Sequence, residues 1–277
     1  MPYITIGHEH GAAVDLYYED HGTGRPAVLI HGYPLDARGW YRQVPALLAA
    51  GHRVITYDRR GFGRSSPVAD GYDYDTFAAD LERVLTALDV TGAVLVGHAM
   101  GTGEIARYLG AHGAARVTGA AFLAPLPPFL LRTEATPHGV ELSRFDALIA
   151  RARGDRAGYL AELRAVLLAP DGSGDAALAD AFADLASTAS ARACVAVIPT
   201  WITDFRADVA DLAATGVPVL IVQGTQDQFL PIDATGRSLR RMLPRARYLE
   251  IGGAPHGLLW THADQVNAAL LDFLSGT

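Results

Sequence analysis

Short, continuous apolar runs alternate with helical patterns along this chain, and this alternation is what most constrains its fold. The first third of the chain holds three such runs, at residues 27–30, 53–57 and 93–96. Between the second and the third, residues 74–88 have the apolar spacing of an amphipathic helix. Continuous apolar runs of this length are typical of parallel strands that are buried on both faces. The alternation therefore predicts an α/β protein with a doubly wound sheet and helices on both of its faces.

The middle of the chain has a different pattern. Alanine, leucine and arginine dominate residues 128–200 with helical spacing, which is broken at residues 170–174. Strand-like and helical patterns then alternate again to the end of the chain. We therefore predict a core domain formed by residues 1–127 and 201–277, with a helical cap inserted at residues 128–200. An insertion of this kind often covers an active site as a lid.

Composition excludes several classes of function. The 277 residues include 23 Lys or Arg and 30 Asp or Glu, a net charge of −7 without a basic run, which is unfavourable for binding nucleic acid. A single cysteine, Cys194, excludes a disulfide framework and any zinc site that needs two cysteines. The N-terminus lacks the pattern of a signal peptide, and no apolar run reaches the ~18 residues of a membrane span. We expect a cytoplasmic protein with no membrane or nucleic-acid partner, while its oligomeric state stays open.

A sharp strand-to-helix turn is predicted around Ala99. Gly97 and Gly101 stand two residues before and two residues after it. This is the spacing of the G-x-S-x-G nucleophile elbow, in which small flanking residues let the strand and the helix approach each other. The N-terminus of the following helix favours a developing anion. Position 99 is alanine, however, and a methyl group cannot attack a carbonyl carbon.

Two further polar residues follow predicted strands of the last third. Asp227 comes after the apolar run that ends at Val222, in a position suited to an acid that orients a histidine. His256 lies on a Pro/Gly loop after the run that ends at Ile251, from which it can reach across the sheet edge. The order of positions 99, 227 and 256 is the nucleophile, acid and base order of α/β hydrolases.

Four segments carry a family resemblance: residues 58–65 (DRRGFGRS), 101–108 (GTGEIARY), 128–131 (PFLL) and 255–258 (PHGL). Through them the chain resembles the α/β-hydrolase superfamily, and within it the cofactor-free haloperoxidase, or perhydrolase, group. The resemblance covers nearly the whole chain and is densest in residues 25–130 and 215–275. It implies the α/β-hydrolase fold, with a mostly parallel eight-stranded sheet and a helical cap. It also implies esterase or lactonase activity, with peracid formation as a side activity, and no metal, haem or other cofactor.

The resemblance also implies roles for individual residues. Asp227 takes the place of the acid and His256 that of the base, and the backbone N–H groups of Tyr33 and Met100 take the places of the oxyanion hole. Ala99 departs from the pattern, because the family has serine there. Apart from the resemblance, Trp40, Phe129 and Trp201 are candidates either for lining the acyl pocket or for packing in the core. Since the cap is rich in Leu, Phe and Ala, we expect a small-molecule ester or lactone with an apolar acyl or ring group.

Ala99 has two explanations. In the first, alanine replaces a native serine, as is done to trap a substrate or product. In the second, alanine is natural, and the protein either uses His256 as a general base for lyase, cyclase or cofactor-free oxygenase chemistry or only binds a ligand. Holding a non-glycine residue in the elbow costs about 1–3 kcal/mol, and the retained glycines, Asp227 and His256 favour the first explanation. As a hydrolase, the chain as it stands is expected to be nearly inactive, since removal of the nucleophile costs about 10⁶ in kcat in another serine hydrolase.

Three other polar residues near these segments have structural explanations, and a fourth is an alternative to Asp227 as the acid. We expect His31 to hydrogen-bond its loop backbone and His98 to pack inside the elbow. Asp58 is expected to hold the turn that follows it. Asp233 is a second acid near Asp227, but its spacing fits the family less well.

Overall fold

We describe the fold from a computed structural model, in which residues 2–168 and 176–277 are described. The predicted break at residues 170–174 lies outside them. Eight strands form one sheet in the order β1-β2-β4-β3-β5-β6-β7-β8. The strands are β1 Tyr3–Glu9, β2 Ala12–His21, β3 Pro26–Ile30, β4 Arg53–Tyr57, β5 Ala93–His98, β6 Val117–Leu123, β7 Val219–Gly224 and β8 Arg247–Ile251.

The sheet is antiparallel at one edge and parallel elsewhere. β1 pairs with β2, and β2 with β4, in antiparallel register. From β4 to β8 every neighbouring pair is parallel. All residues of β5 and β7 are buried, as expected for strands covered on both faces. Because parallel strands end at the same edge, the loops after β3, β5, β7 and β8 meet there.

Eleven α-helices are present in the part of the chain that is described. They are α1 Gln43–Ala49, α2 Tyr74–Ala87, α3 Met100–His112, α4 Leu142–Gly154, α5 Arg156–Leu168, α6 Ala176–Ser187, α7 Ala191–Ala196, α8 Arg206–Thr215, α9 Gly236–Met242, α10 Leu258–Thr261 and α11 Ala263–Ser275. α1 packs against α11, whereas α2, α3, α8 and α9 pack in series. Two helical layers therefore enclose the sheet, and the predicted α/β-hydrolase architecture is confirmed.

Two elements differ from the sequence-based expectation. β1 was not predicted, because its residues alternate poorly and it is an exposed edge strand that pairs only with β2. The helical pattern that follows the elbow in the sequence covers residues 104–109, whereas the helix itself begins at Met100, although Gly101 and Gly103 have low helix propensity. Packing explains the difference, because both glycines sit where the helix contacts other elements closely.

Replacement of Gly101 by alanine should destabilise the fold. A Cβ at Gly101 would lie 2.3 Å from the carbonyl oxygen of Ile30, so α3 and β3 would have to separate. We expect Gly101→Ala to lower the free energy of unfolding by about 1–3 kcal/mol in urea titrations. Gly154→Ala in α4 is the control, since a Cβ there meets no atom within 4 Å and should be neutral or stabilising. Equal stability of the two variants would contradict this account of the close approach.

No single helix of the described residues is long and apolar enough to cross a membrane. Two consecutive helical segments, Ala176–Ser187 and Ala191–Ile202, would together be long and apolar enough, but the break between them is bent by 101°.

Candidate active site

Ala99 occupies the turn between β5 and α3 with an unusual backbone conformation. Its φ of 48° and ψ of −113° lie outside the regions that L-residues favour. A Cβ on Gly97 would lie 2.7 Å from the backbone of Gly101, which explains why a glycine is needed before the turn. The Ala99 N–H donates to the carbonyl of Leu123 over 2.9 Å, so β6 supports the turn. The chain thus holds residue 99 in a strained elbow, as the sequence predicts.

Asp227 and His256 meet although they belong to different loops. His256 Nδ1 lies 2.8 Å from Asp227 Oδ2, and both side chains are buried. The other oxygen, Asp227 Oδ1, accepts hydrogen bonds from the backbone N–H groups of Phe229 (3.0 Å) and Leu230 (2.8 Å). The loop after β7 therefore fixes the carboxylate, and the carboxylate fixes the orientation of the imidazole. Asp233 takes no part, because it pairs with Arg237 on the surface.

A narrow cavity, which we call the elbow cavity, brings most of the predicted residues together. The volume of this cavity is about 10 Å³, which is about enough for one water molecule. An ester can enter only if the surrounding side chains move. The cavity is lined by Tyr33, Ala99, Met100, Leu126, Trp201, Phe229, Leu230 and His256.

Two backbone donors beside the elbow cavity have no acceptor within the described residues. They are the N–H of Tyr33, in the loop after β3, and the N–H of Met100, the first residue of α3. Both residues were predicted for an oxyanion hole. Free donors in such positions, one of them at a helix N-terminus, suit an oxygen atom that gains negative charge.

Four of the side chains that line the elbow cavity have rings that contact one another in series. The rings follow one another in the order His256, Phe229, Trp201, Tyr33, with centroids 5.2, 5.5 and 4.9 Å apart. Trp201 was predicted to line the pocket, whereas Phe229 was missed although it follows Asp227 by two residues. The wall is therefore aromatic and aliphatic, and His256 is its one titratable imidazole among the described residues.

Trp40 and Phe129 were also predicted for the substrate pocket, but neither lines the elbow cavity. Trp40 is buried at the end of a 3₁₀ turn formed by Ala37–Trp40. Phe129 is partly exposed, and the guanidinium of Arg206 lies 5.2 Å from the centre of its ring. Of the three residues predicted for the substrate pocket, Trp201 alone lines this cavity.

A buried ion pair fastens the loop that follows β4 to the elbow helix. Arg59 and Glu104 form it with an N···O distance of 2.7 Å, and both side chains are fully buried. Arg59 Nη2 also donates to the carbonyl of His31 over 3.0 Å. His31 Nε2 in turn accepts from the Arg59 N–H, and Nδ1 contacts the carbonyl of Gly32. Sequence reasoning placed His31 on its loop backbone but missed the ion pair, since Glu104 looked like an ordinary helical residue.

Asp58 joins two loops. Its carboxylate accepts hydrogen bonds from the N–H groups of Ala37 and Arg64, each over 2.8 Å. This role is wider than the predicted one of holding only the adjacent turn.

His98 contacts the backbone of His256. Its Nε2 lies 3.2 Å from the carbonyl oxygen of His256, so Nε2 carries the proton and donates it. Burial, followed by the influence of His256, lowers the pKa of His98 from 6.5 to about 3. His98 therefore stays neutral at physiological pH. The sequence predicted packing for His98 but not this hydrogen bond.

The buried neutral His98 should make the fold sensitive to acid. Between pH 6.5 and pH 3 the unfolded chain binds the proton that the folded chain excludes, so stability falls as pH falls. We expect the free energy of unfolding of His98→Asn to fall less steeply than that of the parent between pH 6.5 and 5. The difference should be about one proton, or about 1.4 kcal/mol per pH unit. Urea titrations at several pH values measure it.

His8→Asn is the control for this experiment, because His8 is exposed in β1. Its pH dependence should follow that of the parent chain. A His98→Asn variant with the parent slope would show that His98 is protonated in the folded state.

The described residues contain no group of three or more His, Cys, Asp or Glu side chains that could hold a metal ion. A larger groove of about 520 Å³ lies where β7 begins, at the opposite end of the strands from Ala99. It is lined mainly by apolar residues of α8, α9 and their following loops. None of the predicted site residues lies there.

Comparison with known proteins agrees with this geometry. The model of the alpha/beta hydrolase fold family matches residues 26–263. The chain belongs to this family. A crystal structure of a bromoperoxidase from Bacillus anthracis superposes with a TM-score of 0.93 at 39% identity and covers 99% of both chains.

Several relatives of this chain are named as haloperoxidases or esterases. The non-heme chloroperoxidase CPO-A1 of Kitasatospora aureofaciens is 38% identical over 95% of this chain and 96% of its own length. The bifunctional esterase/perhydrolase DCH of Acinetobacter calcoaceticus is 31% identical over 94% of this chain and 96% of its own. The resemblance read from the sequence is therefore confirmed at the level of the group.

Proposed function

We propose that this chain carries the active site of a serine-type hydrolase for small carboxylic esters or lactones, with alanine at the nucleophile position. The contact of 2.8 Å between His256 and Asp227, at the cavity that Ala99 also lines, is the observation that carries the proposal. A histidine oriented by a buried carboxylate is the arrangement that activates a neighbouring hydroxyl group. The aromatic and aliphatic lining of the elbow cavity supports an apolar acyl group, and its small size supports a short one.

A serine at position 99 would complete the reaction. Its Oγ would attack the carbonyl carbon while His256 Nε2 takes the hydroxyl proton. The N–H groups of Tyr33 and Met100 would stabilise the oxyanion, each donor being worth roughly 10²–10³ in kcat. His256 would then protonate the leaving alcohol, and Asp227 would stabilise the imidazolium. Water would release the acid from the acyl-enzyme, or hydrogen peroxide would release a peracid.

With alanine at position 99 the covalent step cannot occur. The strained backbone of residue 99, the free oxyanion donors and the oriented imidazole all serve a nucleophile. Their retention supports replacement of a serine over a natural alanine. The natural-alanine alternative keeps His256 as a general base for lyase, cyclase or oxygenase chemistry, or leaves a ligand-binding module.

The test is hydrolysis of p-nitrophenyl acetate and butyrate by this chain and by Ala99→Ser, measured side by side. A large gain in the variant supports the hydrolase. No gain in the rate of hydrolysis would favour the alternatives, and His256→Ala in the parent chain would then distinguish between them. Loss of a catalysed reaction in that variant points to general-base chemistry. Unchanged ligand binding points to a binding module.

We also propose that the predicted cap, residues 128–200, acts as a lid over the elbow cavity, because described residues of it bind the loops around the cavity. The Tyr33 hydroxyl donates to the carbonyl of Cys194 over 2.8 Å, and the Gly257 N–H, next to His256, donates to the carbonyl of Leu167 over 2.7 Å. The cytoplasmic location expected from the sequence stays a prediction.

A further inference from the structure

The indole N–H of Trp201 lacks a partner in the described part of the chain. Trp201 is 3% exposed, and its Nε1 is buried without a hydrogen-bond acceptor. A buried donor left unpaired costs about 1–3 kcal/mol of stability, and native proteins hold few of them. Seven other buried side-chain atoms of the described residues also lack a partner, Trp40 Nε1 among them, but Trp201 is the one of these residues that lines the elbow cavity.

Trp201 lines two cavities. One is the elbow cavity, and the other is an equally narrow cavity that extends toward α4. The second cavity is lined by Leu130, Val140, Arg144, Phe145, Leu148, Trp201 and Phe229. A molecule in either cavity therefore lies against the indole, whose N–H has no acceptor within the described residues.

The order of the rings bears on which part of a bound ester Trp201 would contact. His256 must protonate the leaving oxygen, so the alcohol part lies beside His256. Phe229 stands between His256 and Trp201, and Trp201 contacts Tyr33, whose N–H is proposed to bind the carbonyl oxygen. In this series Phe229 separates Trp201 from His256, which favours contact of Trp201 with the acyl group over contact with the leaving alcohol.

We propose that the Trp201 indole donates a hydrogen bond to a second oxygen atom of the substrate, located in its acyl group. The proposal rests on the proposed function and adds a substrate class to it: short, uncharged acyl groups that contain an ether, hydroxyl or keto oxygen. An uncharged oxygen fits, because the elbow cavity is lined by no Lys, Arg, Asp or Glu among the described residues. A purely hydrocarbon acyl group would leave the donor unpaired.

The kinetic test uses two esters of nearly equal shape. p-Nitrophenyl methoxyacetate replaces one methylene group of p-nitrophenyl butyrate by an ether oxygen. In the Ala99→Ser background, Trp201→Phe keeps an aromatic ring and removes the N–H. We expect the ratio of kcat/KM for methoxyacetate over butyrate to fall about fivefold to tenfold, as for the loss of one neutral hydrogen bond. The intrinsic reactivities of the esters cancel when the ratios of the two enzymes are compared.

A binding test is independent of turnover and uses the chain with Ala99. The chain has three tryptophans, so its indole ¹⁵N–¹H signals are few, and Trp201→Phe assigns the relevant one. Methyl methoxyacetate should shift the Trp201 signal downfield, whereas methyl butyrate should not. The signals of Trp40 and Trp260 serve as internal controls.

The outcomes separate this inference from the proposed function. If Ala99→Ser is inactive on both esters but the Trp201 signal shifts with methoxyacetate alone, the hydrolase fails and the binding site stands. If Ala99→Ser is active, an unchanged ratio together with equal signals for both esters would overturn the inference and indicate that the indole binds only water.

Discussion

Ala99→Ser is expected to raise kcat for p-nitrophenyl butyrate by several orders of magnitude, up to about 10⁶-fold. That value is the loss measured when the nucleophile is removed from another serine hydrolase. The rest of the site is already in place, because Asp227 orients His256 and the elbow holds residue 99 at the same cavity. Initial rates at saturating ester, measured for both proteins under identical conditions, give the ratio.

Ala99→Gly is the matched control for this gain. Glycine adopts a φ of 48° without the strain that alanine has there, so the variant should be slightly more stable than the parent. It has no nucleophile and should stay as inactive as the parent. A serine variant that folds, by thermal unfolding, but shows the rate of the glycine variant would contradict the proposed function.

Removal of the acid or the base should reverse the gain. In the Ala99→Ser background we expect His256→Ala to lower kcat by about 10⁶ and Asp227→Asn by about 10⁴, as in other serine hydrolases. The asparagine keeps the shape of the side chain, but its NH₂ group must replace one of the two carboxylate oxygens. That oxygen accepts hydrogen bonds either from the N–H groups of Phe229 and Leu230 or from the imidazole of His256, and the NH₂ group cannot accept them. Steady-state kinetics with p-nitrophenyl butyrate measure both losses.

Asp233→Asn is the control for these variants, because Asp233 is half-exposed and pairs with Arg237. Its activity should stay within about twofold of Ala99→Ser. A large loss of activity in Asp233→Asn with a small loss in Asp227→Asn would contradict the proposed role of Asp227 and indicate Asp233 as the acid.

Local patterns explain which parts of this molecule could be predicted. The buried strands were found because apolar runs report burial directly, and the elbow was found because Gly97 and Gly101 mark its ends. Asp227 and His256, whose side chains pair in the structure, could be singled out because each follows a strand end on a short loop. In every case the decisive signal lies within a few neighbouring residues.

Contacts between distant segments could not be predicted in this way. The ion pair of Arg59 and Glu104 joins residues that are 45 positions apart, and nothing in the sequence around either residue identifies the other as its partner. The hydrogen bond of His98 to the His256 carbonyl spans 158 positions. Trp201 lies in a helical region without a motif, so its unpaired N–H emerges only from the packing around it.

Covalent labelling tests the central claim most directly. The claim is that residue 99 stands where His256 and the oxyanion donors activate a nucleophile. A fluorophosphonate should modify the Ala99→Ser protein once, with the added mass located on residue 99 by peptide mass spectrometry, and should leave the parent unmodified. The same protein with His256→Ala should react far more slowly. Absence of an adduct on residue 99 in a folded Ala99→Ser protein would contradict the claim.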